Sequence, residues 1–251
     1  MRRLALAALV LSALATLGVT GPAAAITNGD RDGNAHSDVG GLVAAHQYSD
    51  GTWIYCSGTL ISPTVFLTAA HCAEGRRVRV TFDPAYVAGD PVHVGTFHAD
   101  PLYSQVQSDP HDLAVVVFDH AIARITPALL PRAGSLSGLR RGQSFTSVGY
   151  GAYRVTNGAG GHHYLYDDVR MVATGTLDAV NPAWLRISQN RSTGDGGTCY
   201  GDSGGPNFLG SSRVLAATTI TGDAVCRSTN VDYRLDTASA RHFLGRFVAL
   251  P

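Results

Sequence analysis

Ser203 sits inside Gly201-Asp202-Ser203-Gly204-Gly205-Pro206, a lone hydroxyl in a glycine-lined turn. Glycines on both sides let the chain take dihedrals that other residues resist, and they let a ligand's backbone come close. A serine hydroxyl is a weak nucleophile by itself. It needs a neighbouring base, usually histidine, and the base needs a buried carboxylate to fix its tautomer and stabilise its cationic form. Two upstream segments supply candidates, Leu67-Thr68-Ala69-Ala70-His71-Cys72 and the run that begins His111-Asp112-Leu113-Ala114. Asp112 opens an aliphatic stretch, where a charge is costly to bury unless something pairs with it. An imidazole is a fitting partner. Taken singly, His71 reads equally as a capping or core histidine, and Asp112 as a turn residue ahead of a strand. Taken with Ser203, they give the chain order His, Asp, Ser of one well-characterised acyl-transfer triad.

Thr68-Ala69-Ala70-His71-Cys72, Asp112-Leu113-Ala114-Val115 and Cys199-Tyr200-Gly201-Asp202-Ser203-Gly204-Gly205-Pro206 resemble the histidine, aspartate and serine boxes of the trypsin-like serine peptidases, particularly the small secreted bacterial ones. The resemblance extends from Ile26 to the last strand. It implies an all-β fold of two packed six-stranded antiparallel β-barrels with a C-terminal α-helix, the first barrel over about 26–128 and the second over about 129–251. It also implies Ser203 as nucleophile, His71 as general base and then acid, Asp112 as the orienting carboxylate, and the backbone amides of Gly201 and Ser203 as an oxyanion hole. No cofactor and no metal are expected. Protein or peptide substrates are the expected partners, with protein inhibitors as a second class, and the chain is expected to be a monomer.

In such relatives a new N-terminal isoleucine inserts beside the aspartate that precedes the serine, here Ile26 and Asp202. Cleavage after Ala25 would expose Ile26-Thr27-Asn28-Gly29, so removal of an export signal would itself be the activating cut. Cleavage elsewhere, or trimming by a second protease, is the alternative. The pocket walls align as Gly197 and Thr198, then Ile220, Thr221 and Gly222, with Val231 at the rear. Gly197 takes the place of the aspartate found in relatives that cut after Arg or Lys, so small or medium apolar side chains are expected. Asp223 or Asp232 reaching a basic side chain is the competing reading. Ile220 departs from the family pattern, which has a serine there bonded to the triad carboxylate; Thr219 or Thr221 would substitute if the register were off by one.

These residues need strands to hold them. Short apolar runs and period-two alternation recur at about ten-residue spacing, bounded by Gly, Pro, Asn and Asp, which favours a barrel or sandwich. Val78, Val80 and Phe82 alternate with polar residues, and Trp53–Ile61, Val65–Ala70 and Leu113–Phe118 read as further strands. Residues 125–131, with two prolines, read as the join between halves. The second half offers 144–148, 169–174, 184–188, 206–209, 214–221 and 230–235. Only the end looks helical, with Asp236 or Thr237 as cap and Ala240, Phe243, Leu244 and Phe247 on one face.

Composition narrows the setting. Residues 1–25 read as a secretory signal: Arg2 and Arg3, an apolar stretch from Leu4 to Val19, then an Ala-x-Ala site. The stretch is too short and too interrupted for a membrane span of roughly 20 apolar residues, so a secreted chain without membrane attachment is expected. The formal net charge is zero, which gives no basic surface for nucleic acid. In an exported chain the four cysteines are expected to form disulfides, and four thiols allow three pairings. The resemblance implies Cys56 with Cys72 and Cys199 with Cys226, stapling the loops that carry His71 and Ser203. A zinc site competes weakly, since no Cys-x-x-Cys occurs.

Two rival functions remain on the sequence. Gly201-Asp202-Ser203-Gly204-Gly205 also fits the Gly-x-Ser-x-Gly elbow of α/β-hydrolases, with Asp223 or Asp232 and His242 completing a triad, but that fold needs helices this chain does not show. A binding module without catalysis on the same scaffold is the other. His162-His163 reads as solvated histidine in a Gly-rich loop, and Asn190-Arg191-Ser192 as plain surface.

Overall fold

The computed structural model describes residues 26–251, and the expected export signal lies outside the described residues. A short strand, β1 (Asp30–Arg31), is followed by β2 (Val39–Val43), β3 (Ile54–Ser62), β4 (Val65–Thr68), β5 (Arg77–Thr81), β6 (His93–Ala99) and β7 (Ala114–Phe118). Strands β2 to β7 close into one antiparallel barrel in the order β2-β3-β4-β7-β6-β5. The second half contributes β8 (Ser144–Gly149), a hairpin of β9 (Arg154–Gly158) and β10 (Gly161–Leu165), then β11 (Met171–Val180), β12 (Trp184–Ser188), β13 (Pro206–Leu209), β14 (Leu215–Gly222) and β15 (Thr229–Arg234). Six of these, β8, β11, β12, β15, β14 and β13, close the second barrel through the β11–β8 pairing. Over the described residues the fold is all-β, two six-stranded barrels and one α-helix, α1 (Ala238–Leu244).

The apolar run after Asp112 has no polar face because β7 is buried on both sides. Ala114 and Val116 point into the first barrel with Phe66, while Val115 joins Leu67, Phe208 and Phe243 in the core between barrels. Strand β5 faces water on one side, and its alternation shows it: Val78 and Val80 are buried, whereas Arg77 is exposed and Arg79 partly so. Thr237 caps α1 by accepting from the Ala240 N–H, and Ala240, Phe243 and Leu244 seal the inter-barrel core. Residues 125–131 cross between the halves, with Ala128 N–H on Leu60 O and Leu129 N–H on Arg213 O.

Five strands were not anticipated: the two-residue β1, and β2, β6, β9 and β10, whose sequences carry no period-two alternation. In β2 the glycines are a closure requirement, since a Cβ on Gly40 would lie 2.6 Å from Thr81 O and one on Gly41 2.8 Å from Ile54. His162 and His163 lie on β10 rather than in a loop, although both are exposed as expected. The strand expected from Val169 begins at Met171, and the strand expected to reach Ala70 ends at Thr68, giving way to a 3-10 turn over Ala70–Cys72. Residues 26–31 lie on the second barrel: β1 pairs with β11, and Thr27 bridges to Gly197.

Both disulfides form in the implied pairing, Cys56–Cys72 and Cys199–Cys226. Replacing Cys199 and Cys226 together with serine should lower stability by about 3 kcal/mol by freeing the unfolded chain. A urea titration checks this, and a midpoint equal to the wild type would count against the bridge's contribution.

Candidate active site

A cleft of about 870 Å³ runs between the barrels, and His71, Asp112, Gly201 and Ser203 all line it. His71 is carried by the 3-10 turn after β4 and is tied down by Cys72 in the Cys56 bridge. The Asp112 carboxylate, buried at the head of β7, receives both hydrogen bonds that His71 can send it. The backbone N–H reaches Oδ1 at 3.0 Å, and ring Nδ1 reaches Oδ2 at 2.8 Å. An acceptor on Nδ1 makes it the protonated nitrogen of neutral imidazole and leaves Nε2 as the free base. Among the described residues, Asp112 accepts from His71 alone.

Ser203 is half-buried on the loop before β13, and the first barrel grips that loop. Ser57 N–H donates to Ser203 O at 2.8 Å and Ser57 Oγ donates to Gly201 O at 3.0 Å. Gly201 and Gly204 have φ of +95° and +81°, and a Cβ on Gly204 would sit 2.1 Å from Thr68 Oγ1. The Gly201 N–H shares its trans peptide with Tyr200 O, which Ala152 N–H holds at 2.8 Å, so this N–H points the opposite way. The N–H groups of Asp202, Gly204 and Gly205 are all taken, by Cys199 O, Thr219 O and Asp202 O. Those of Gly201 and Ser203 have no partner among the described residues, leaving two adjacent donors at the cleft.

Asp202 is fully buried. Its two oxygens accept from Gly151 N–H and Cys199 N–H, each at 2.8 Å. Gly149 and Gly151 are the cradle, since a Cβ on either would fall within 2.2 to 2.4 Å of a carboxylate oxygen. Burial pushes the Asp202 carboxyl up to about 7, only partly offset by the two N–H bonds. Ile26 is also fully buried, against Val169, Met171 and Ala173, and the hydrogen bonds to Asp202 come from Gly151 and Cys199 rather than from Ile26.

Thr198, Ile220, Thr221, Gly222 and Val231 line the cleft with Ser203, whereas Gly197 does not. Its backbone pairs with Thr27 in both directions, and Gln189 fills the space a side chain would need, with Oε1 2.4 Å from the position of a Cβ. A bulge in β14 between Thr219 and Thr221 leaves Ile220 without a partner on β15 and half-exposed to the cleft. The Thr219 hydroxyl bonds Asp232 and Thr221 is exposed, so neither supplies the missing hydroxyl to Asp112. Asp223 lines the cleft; Asp232 is fully buried behind it and does not. Sequence patterns placed Trp184 on a strand but gave no sign that it lines the cleft, nor of the β9–β10 hairpin, whose Tyr164 packs edge-on against Tyr200 at the rim.

Two closed barrels with a His–Asp pair and a glycine-turned serine at their junction define a chymotrypsin-fold hydrolase architecture. The family model described as Trypsin matches residues 28–241, and the chain belongs to that family of trypsin-like serine peptidases. It is 26% identical to Granzyme M of Homo sapiens over 185 residues, covering 68% of this chain and 70% of that protein. The solved structure of HL collagenase has the same fold, with a TM-score of 0.68 at 18% identity over 88% of this chain and 97% of that one.

Asp202 carries a stability consequence in the chain before any cut at Ile26. Its folded pKa is about 7 against an ordinary 3.8, so between those values the folded chain holds a proton that the unfolded chain has released. Stability therefore falls as pH rises through that window, by at most about 4 kcal/mol from this group, and levels off above 7. Urea midpoints of the uncut chain at pH 4.5 and 8 should drop more for wild type than for Asp202→Asn. Equal drops would refute the assignment.

Proposed function

We propose that this chain is a secreted serine endopeptidase that cleaves peptide bonds through an acyl-enzyme on Ser203. The observation that carries the reading is the cleft itself: a buried carboxylate fixes the His71 ring, and Ser203 lies in the same cleft beside two unengaged N–H groups. His71 Nε2 takes the Ser203 proton as Oγ attacks the scissile carbonyl, and Asp112 stabilises the imidazolium. The N–H groups of Gly201 and Ser203 receive the oxyanion, and His71 then gives the proton to the leaving amine. Water repeats the sequence on the ester. Losing one oxyanion donor typically costs about 100- to 1000-fold in turnover.

Residues 1–25 act as the export signal in this reading, and their removal frees the Ile26 amine to pair with Asp202. The docked state of Thr27 on Gly197 and of Ile26 in its apolar pocket supports it. An amine whose pKa rises on burial beside a carboxylate contributes fully at neutral pH and loses its contribution as alkali deprotonates it. The primary pocket takes small or medium apolar side chains: Thr198, Ile220 and Val231 wall it, and Gln189 occupies the ground behind Gly197. The second reading, a catalytically weak or inactive relative that binds peptides, draws on Ile220, which leaves Asp112 one hydrogen bond poorer.

A fluorophosphonate probe should label Ser203 of the processed chain. Ser203→Ala or His71→Ala should abolish both labelling and proteolysis, a loss on the order of a millionfold. Undiminished proteolysis by Ser203→Ala would overturn the mechanism, and an unlabelled wild type would favour the binding module. The active form should begin at Ile26 by N-terminal sequencing. A peptide library dominated by Arg or Lys at the cleavage site would overturn the pocket assignment.

A further inference from the structure

Arg170 is the largest fully buried side chain among the described residues, and the mechanism above does not use it. It stands just before β11, between Val169 and Met171, which both pack on Ile26. Its own side chain goes the other way, into the junction of the two barrels. Nε donates to Asp32 Oδ2 at 2.9 Å. One terminal nitrogen donates to Val39 O and Phe82 O of the first barrel, both at 2.9 Å, and to the Tyr150 hydroxyl at 3.3 Å. The other donates to Gly33 O at 2.8 Å and Asn34 Oδ1 at 3.2 Å. A guanidinium cannot shed its charge inside a protein, so its burial is tolerable only with this full complement of acceptors. His36 completes the set, its Nδ1 2.5 Å from Asp32 Oδ1. Burial pushes the Asp32 carboxyl upward, but the bonds from His36 and Arg170 outweigh it and hold it below its ordinary range.

Tyr150 is the link to the cleft. It lies between Gly149 and Gly151, the two glycines that cradle Asp202. Its hydroxyl accepts from Arg170 and donates to Asp83 O at 2.7 Å. Its N–H donates at 3.0 Å to Ser57 Oγ, the hydroxyl that holds Gly201 O. The next N–H, of Gly151, holds Asp202. Ala152 N–H, one residue on, donates at 2.8 Å to Tyr200 O, the carbonyl of the peptide that carries the Gly201 N–H, so a shift of this turn moves Asp202 and that peptide together.

We propose that Arg170 is a positioning residue for the Ser203 site. It fixes the segment 32–36 and the Gly149-Tyr150-Gly151 turn to one rigid point, and through that turn it sets Asp202 and the direction of the Gly201 N–H. The catalytic part of this rests on the function proposed above; the positioning part does not.

The test uses two variants of the processed chain. Tyr150→Phe removes the link and leaves the Arg170–Asp32 pair, so it folds where a change at Arg170 could fail. Arg170→Lys keeps a charge but loses the fork. Amide hydrogen exchange should quicken about tenfold in 149–151 and 199–203 while β12 keeps its wild-type rates, the mark of local loosening and not global destabilisation. Turnover should fall about tenfold with KM within twofold, a smaller loss than outright removal of an oxyanion donor. Wild-type exchange in those segments, or a rise spread evenly over the molecule, overturns the proposal. If the wild type proves inert to a fluorophosphonate while local exchange still quickens in the variants, the peptidase reading fails and the positioning role stands.

Discussion

The Asp202 carboxyl group is shut away from water with only two N–H donors to satisfy it. A buried polar group left without partners costs roughly 1 to 3 kcal/mol, so the peptide units around it have little freedom. Cys199 N–H and Gly151 N–H must point inward. Space is as tight as the hydrogen bonding, because no residue larger than glycine fits at 149 or 151. The serine loop is thus shaped from beneath, and the left-handed backbone at Gly201 and Gly204 follows from that shape. Two N–H groups are left over at the surface of the loop, which is the chemical result of a packing constraint below it.

The same loop shows why one barrel could not carry the site. Ser57, on β3, binds Gly201 O and Ser203 O, and Thr68, on β4, donates to Ser57 O at 2.8 Å. Gly204 passes so close to Thr68 and to the Ser57 carbonyl that a side chain there would drive the barrels apart. The residues that hold His71 in place, Cys56 and Asp112, belong to the same barrel as Ser57. Histidine and serine are therefore registered against each other through β3. The apolar core between barrels, with Val115, Leu67, Phe208 and Phe243, makes that registration rigid.

Elements with strong local patterns were legible from the residues alone. The double-sided burial of β7, the alternation of β5 and the apolar stripe of α1 all leave marks that survive without tertiary context. The His, Asp and Ser boxes were legible because each puts one polar group against an apolar or glycine-rich run. What stayed hidden was set by distant partners. Gly40 and Gly41 look like loop residues until the barrel closes on them, and Gly149 and Gly151 mean nothing until Asp202 lies between them. The β9–β10 hairpin, with exposed histidines and three glycines near its turn, has no apolar face to announce it. Arg170 was invisible for the opposite reason: buried arginine violates the usual sorting of charge to the surface and becomes readable only with its acceptors in view.

Ile220 ties the remaining irregularities together. The bulge in β14 that expels it from the β-ladder also turns the Thr219 hydroxyl inward, where it joins Asn207 on the Asp232 carboxyl. Burial pushes that carboxyl well above its usual range, toward the neutral form a core can accommodate. The hydroxyl is therefore committed and cannot serve Asp112. Orientation of Asp112 suffers little, because two hydrogen bonds from the single residue His71 already fix the plane of the carboxylate. What is lost is solvation of its charge, and a carboxylate with one donor fewer leans harder on the imidazole proton beside it. The side chain that removes this hydrogen bond is the same one that the bulge delivers to the cleft as an apolar wall. In this chain a change in the support of the His–Asp pair and a change in the shape of the pocket are one structural event.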